Sequence, residues 1–163
     1  ENKTAANVVN EYTAEGLQQM FSQYGEVRNA KTLALALVDA RNLKPFETIS
    51  DLAQVVEANR IGEEHKYFAQ VFQAIRIEVN GELEALKDFL QQSVEVLKNG
   101  GRLAVITFHS LEDRLVKNFM KHGSFDDEPV KDFYGNTEKK LKLVNKKPIE
   151  ATEKEKKDMY IAK

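Results

Sequence analysis

The 163-residue chain contains no cysteine, which excludes disulfides, thiolate nucleophiles and Cys-ligated zinc. No apolar run approaches the ~20 residues a membrane-spanning helix needs. The opening Glu1-Asn2-Lys3 is polar, unlike a secretory signal. An initiating methionine is also missing, as in a chain cut from something longer or one processed from a short leader. There is no Gly-x-Gly-x-x-Gly turn and no P-loop to cradle a nucleotide-type cofactor. Gly100-Gly101 has the reverse order, ending a helix and opening a strand. The histidines, His65, His109 and His122, lack metal-ligand spacing, so no metal is expected. The net charge of -2 shows no overall bias toward nucleic acid, which leaves only local patches to supply one. These absences predict a soluble, cytoplasmic protein.

With 42% hydrophobic and 31% charged residues, the chain can bury a core under a well-solvated surface. The first half reads as helices. Thr13 is placed to cap a helix running to Tyr24, with Gly25 as its stop. Ala30, Leu33, Ala34 and Leu37 recur at helical spacing within Val27–Arg41, and Pro45 prevents continuation. Thr48 or Ser50 caps the next helix, through Leu52, Val55 and Val56 to about Asn59. A longer one, from about Lys66, gathers Phe68, Val71, Phe72, Ile75 and Val79 on one face, a core pattern. Beside that face runs a polar stripe of Gln73, Arg76 and Asn80. Residues 82–98 complete the helical series, with Glu82 and Glu84 at the favourable end of the dipole.

The period then changes. Leu103-Ala-Val-Ile-Thr-Phe108 is a short, continuous, β-branched apolar run, the signature of a strand buried on both faces of a parallel sheet. Ser110-Leu-Glu-Asp113 resembles a capping box opening a helix with Leu111, Leu115 and Phe119 inward. Leu141–Asn145 is a second candidate strand. Residues 124–138 form an acidic loop, whereas residues 139–157 carry eight Lys and three Glu, a basic stretch that reads as solvated or phosphate-facing. One buried-type strand without predecessors implies the closing units of an α/β fold, with an exposed sheet edge that could recruit a second copy. His109 and Ser110 stand where that strand ends and a helix begins. Open α/β sheets bind ligands there, and free helix N–H groups attract anions. From position alone His109 either faces a cleft or serves the fold only, and Ser110 is placed to cap.

Three stretches together carry a family resemblance: Tyr24-Gly-Glu-Val-Arg28, then Phe72-Gln-Ala-Ile-Arg-Ile-Glu-Val-Asn-Gly-Glu-Leu83, and Gly100-Gly-Arg-Leu-Ala-Val-Ile-Thr-Phe-His-Ser-Leu-Glu-Asp-Arg-Leu-Val-Lys117. They resemble the bacterial S-adenosylmethionine-dependent methyltransferases of the MraW/RsmH type, and Lys146-Lys-Pro-Ile149 matches a fourth family segment. The resemblance implies a Rossmann-like methyltransferase domain with an all-helical insert, acting on N4 of a cytidine in 16S rRNA. It assigns residues 1–80 to the helical insert and 81–163 to the end of the methyltransferase domain, giving an α/β protein that is mostly helical overall. The family's Gly-rich donor loop, ribose-binding acid and Asp-Leu-Gly-type segment have no counterpart here, so the S-adenosylmethionine site is expected outside this chain. The ending, Lys157-Asp-Met-Tyr-Ile-Ala-Lys163, departs from the family's basic terminus.

The resemblance points to substrate-side roles. His109 and Ser110 would lie at the cytosine pocket, Arg76 on a phosphate or base edge with Asn80 beside it, and Arg28, Lys31 and Arg41 on the RNA backbone. An ion pair with a neighbouring Glu is the competing reading of Arg76. The expected partner is 16S rRNA in the small ribosomal subunit, with no membrane. Two other classes fit the same residues: a non-catalytic RNA- or ribosome-binding module, and a helical protein-interaction domain.

Overall fold

A computed structural model describes residues 3–126, 141–145, 149–152 and 155. The chain divides into two compact units, Glu1–Phe89 and Leu90–Lys163. Seven helices lie among the described residues: α1 (Ala5–Glu11), α2 (Ala14–Gly25), α3 (Ala30–Leu43), α4 (Ile49–Ala58), α5 (Glu64–Asn80), α6 (Glu82–Val96) and α7 (Ser110–His122). The boundary between units falls within α6.

In the first unit α2 packs against both α3 and α5, while α1 and α4 close the sides. The core forms where apolar faces at helical spacing meet. Leu17 and Phe21 of α2, Leu33 and Leu37 of α3, and Val71 of α5 are fully buried. The apolar face expected on α5 is the one that packs, with Val71 and Ile75 buried and Phe68, Phe72 and Val79 at its margin. Helix starts follow local chemistry. The Thr13 hydroxyl accepts from Gly16 N at 3.1 Å, and Thr48 and Asp51 form a reciprocal capping box.

Gly25 does not act as the expected stop. It is the last helical residue of α2, and the left-handed position falls to Glu26, at φ 51°. Glycine is needed at 25 because α5 passes close by. A Cβ there would stand 2.6 Å from the Gln70 carbonyl oxygen and 3.2 Å from Ala74 Cβ. Close helix–helix approach, rather than turn geometry, explains this glycine. Gln73 completes the joint by donating from Nε2 to the Tyr24 carbonyl at 3.0 Å.

In the second unit the end of α6 leads to α7 through residues 97–109. Gly100, at φ 80°, makes the turn expected of the Asn-Gly-Gly stop. Segment 103–107 has no regular secondary structure and Phe108 lies in a bend, yet exposure alternates residue by residue: Leu103, Val105 and Thr107 are half-buried, while Ile106 and Phe108 are 83% and 88% exposed. This is a strand-like alternation without a ladder, since no strand occurs among the described residues. A strand is defined by hydrogen bonds to a neighbour, and this segment has no such neighbour among the described residues. Leu141–Asn145, the other candidate strand, is likewise irregular, with Val144 exposed. Most of the acidic loop and much of the basic stretch lie outside the described residues. Stacking of Phe119 on Phe125, at 5.1 Å between centroids, secures the end of α7, and Gly123 caps it.

Candidate functional site

The residues singled out by sequence fall into three local settings. The first is the joint between α5 and α6. Arg76 meets Glu82 with both prongs of its guanidinium: Nε lies 3.0 Å from Oε1 and Nη2 lies 3.1 Å from Oε2. Asn80 donates from Nδ2 to the same Oε1 at 2.9 Å. Gly81, at φ 60°, turns the chain so that Glu82, the first residue of α6, faces back onto the polar stripe of α5. Glu82 therefore gathers Arg76 and Asn80 into one polar cluster. Sequence reasoning allowed Arg76 an ion pair with a neighbouring Glu, which is what forms, but named Glu82 only in relation to the helix dipole. Its position two residues after Asn80 was the available signal.

The second setting is α3. Arg28 and Lys31 are exposed at its start. Arg41 lies about 15 Å further along the axis, at 1.5 Å per residue, so the three do not form one patch. Its guanidinium donates to the Val9 carbonyl at 2.9 Å and the Tyr12 carbonyl at 2.6 Å, capping the end of α1. Near Arg28, Asn29 donates to the Asn59 carbonyl at 2.8 Å and accepts from the Tyr67 hydroxyl at 2.9 Å. That network ties α3, α4 and α5 together. Burial pushes the Tyr67 hydroxyl above its ordinary pKa, and the bond to Asn29 partly offsets this.

The third setting is the start of α7, where the register differs from expectation by one residue. His109, not Ser110, is the N-cap. Its Nδ1 accepts from Glu112 N at 3.3 Å, and the Glu112 carboxylate reaches back to accept from Phe108 N at 2.7 Å. Ser110 becomes the first helical residue and is exposed. The Nδ1 lone pair occupies the place of an Asp or Asn side-chain oxygen, while Glu112 reaches one residue past the cap, to Phe108 N, instead of closing a capping box on His109 N. Histidine is not among the preferred caps, and the adjacent serine drew the assignment one position late. The His109 side chain is only 9% exposed, and its Nε2 has no hydrogen-bond partner among the described residues.

Away from these settings, Glu78 accepts from Tyr12 Oη at 2.6 Å and from Lys3 Nζ at 2.7 Å. Burial pushes the Glu78 carboxyl up, but the two donors and the Lys3 charge together hold it below its ordinary pKa. The bonds to Glu78 and Tyr12 raise the Lys3 ammonium above its own.

Comparison with known proteins accounts for the motifs. The sequence model of the MraW methylase family matches residues 1–162. The ribosomal RNA small subunit methyltransferase H of Cytophaga hutchinsonii is 58% identical over 147 residues, covering 89% of this chain and 49% of that protein. The same-named protein of Parabacteroides distasonis is 51% identical over 154 residues, covering 94% and 50%. That of Flavobacterium psychrophilum is 51% identical over 144 residues, covering 88% and 50%. The chain belongs to the MraW methylase family. It spans about half the length of the curated relatives it matches. No helix among the described residues is long and apolar enough to cross a membrane.

Proposed function

We propose that this chain supplies the substrate-facing portion of an S-adenosylmethionine-dependent methyltransferase that modifies N4 of a cytidine in small-subunit rRNA. The observation that carries this reading is the family match along residues 1–162, combined with coverage of only about half of each relative. Each of those relatives is named as a small-subunit rRNA methyltransferase. The methyl-donor site belongs to the portion of the relatives that this chain does not match, which accords with the lack of a Gly-rich cofactor turn. Segment 103–108 then becomes a sheet strand on pairing with that portion, giving the α/β methyltransferase domain; residues 1–80 form the helical insert. Until it is paired, the segment's free edge can join two copies of the chain.

In this reading His109 stands at the cytosine pocket with Ser110 beside it. Arg76 and Asn80 exchange Glu82 for an RNA group; an exposed ion pair is worth only about 0–1 kcal/mol, so a phosphate can displace it. Arg28 and Lys31 contact the RNA backbone, and Arg41 contributes from the guanidinium donors that α1 leaves free. S-adenosylmethionine would supply the methyl group in the complete enzyme, and the residues of this chain would orient the base that receives it. The target base must also be unstacked to reach it.

Calorimetric titration of S-adenosylmethionine into this chain tests the proposal. No heat of binding is expected, while a decoding-region rRNA oligonucleotide should bind with salt-sensitive affinity. Saturable one-to-one donor binding would place the donor site within this chain and overturn the division of labour. RNA binding that is absent even at low salt would favour a protein-interaction domain.

A further inference from the structure

Helix α4 carries apolar side chains on two faces, and the core covers one of them. Leu52 and Val56 turn into the core of the first unit. Ser50, Ala53, Glu57 and Ala58 share another face, at i, i+3, i+7 and i+8. With Glu64 and Phe68 of α5 they line an open groove of about 510 Å³. Phe68 is held there by stacking on Phe72, 6.1 Å between ring centroids. Ile49, the first residue of α4, and Ile61, three residues past its last, are exposed as well. Folding of the unit needs only one covered stripe per helix, so a second apolar face rimmed by polar groups marks a contact surface.

The rim of this groove is acidic. Residues 47–64 carry five acids, Glu47, Asp51, Glu57, Glu63 and Glu64, against one base, Arg60, a net of -4. Arg60 is already engaged by Glu57 and by the Gly62 carbonyl. Glu64 has no hydrogen-bond or ion-pair partner among the described residues. The flanking lysines do not neutralise the groove. Lys44 meets Asp51 at 3.7 Å, near the start of α4. Lys66 lies two residues from both Glu64 and Phe68, which turns it away from them on α5.

We propose that this groove docks a basic amphipathic helix of a partner protein. The helix lies along α4 with its apolar side on Ala53, Ala58 and Phe68 and its lysines or arginines against Glu57 and Glu64. Recognition of this kind needs an apolar floor as long as the spacing of the peptide's anchors. The ten residues of α4 provide about 15 Å, enough for anchors at i, i+4 and i+7. The carboxylates attract the flanking cations and select against an acidic partner. They also repel RNA phosphates, so the groove serves a contact other than the RNA contacts proposed above.

Fluorescence anisotropy of this chain with a labelled synthetic helix tests the proposal. The probe is about 14 residues long, with leucine at i, i+4, i+7 and i+11 and lysine at most other positions, and spans about 21 Å. Saturable one-to-one binding is expected at low salt, weakening as salt rises. A peptide of the same composition, with its leucines scattered around the helix, should bind at least about tenfold more weakly for want of an apolar face. Ala58→Lys, at an exposed position, should weaken binding of the first probe about tenfold and leave helical circular dichroism unchanged. Glu64→Gln should weaken it about twofold to fivefold, the size of one exposed charge pair, and flatten the salt dependence. Gln91→Lys, which adds the same charge at an exposed position of α6, should stay within about twofold of the parent. No binding of the probe, or equal binding of the two peptides, would overturn the inference, as would binding that Ala58→Lys leaves intact. Displacement of the probe by a single-stranded RNA oligonucleotide would assign the groove to RNA instead. Self-association of the free chain that Ala58→Lys abolishes would assign it to a second copy.

Discussion

The two units solve the burial problem to different degrees. In Glu1–Phe89 five helices close around side chains such as Phe21, Leu33 and Val71, all at 0% exposure. In Leu90–Lys163 the most apolar stretch of sequence, 103–108, keeps Ile106 and Phe108 more than 80% exposed. The difference is one of bonding range. A helix satisfies its backbone within itself and needs only one covered face, whereas a strand needs a second strand to satisfy its backbone at all. A helical unit can therefore stand by itself where a lone strand-like segment cannot.

The sharpest way to break this contrast is to exchange damage between the units. Phe21→Ala should cost about 3–5 kcal/mol in urea unfolding followed by helical circular dichroism, since it empties a closed core. A cost under 1 kcal/mol would mean the first unit is not the consolidated half. Next in size is Gly25→Ala. The new methyl would meet the Gln70 carbonyl oxygen at 2.6 Å, a backbone atom that cannot step aside. A loss of about 1–3 kcal/mol is expected in the same measurement.

A smaller effect belongs to Lys3, whose ammonium bonds Glu78. The folded Glu78 carboxyl titrates below its ordinary value, so its contribution is present above that value and is lost as pH falls through the folded one. The Lys3 ammonium titrates above its ordinary value, so its contribution holds below that value and fades only as pH rises through the folded one. Lys3→Ala should thus cost under about 1 kcal/mol at neutral pH, because the lysine is half in solvent. That cost should shrink as Glu78 protonates in acid. An equal cost at acid and neutral pH would point to lost packing over Tyr12 instead.

Smallest in stability is Phe108→Ser, expected within about 0.5 kcal/mol of the parent because the ring covers nothing. The same change should reduce concentration-dependent self-association in sedimentation velocity if the 103–108 edge joins copies. Unchanged association would move the self-contact elsewhere.

Legibility followed the range of the interaction. The helices could be read because capping residues and the 3.6 period act within a few residues. Thr13 and Thr48 cap where expected, and the apolar face of α5 packs where its spacing pointed. The site was legible as residue types but not as partnerships. Arg76 and Asn80 stood out as a polar stripe, yet their common acceptor, Glu82, depends on the Gly81 turn. His109 stood out by its place before a helix, but its role as cap hung on a one-residue choice of register that local patterns left open.

The sequence by itself determined the helical half, the glycine turn at 100 and membership of a methylase family, because each depends on local chemistry or on long motifs. Tertiary structure alone decided that Gly25 is a point of contact with α5, that Arg41 closes the end of α1, and that Glu112 rather than Asp113 reaches back over the cap of α7. Those outcomes turn on distances between segments that the chain order does not bring together, or on a choice of register that only the folded backbone makes.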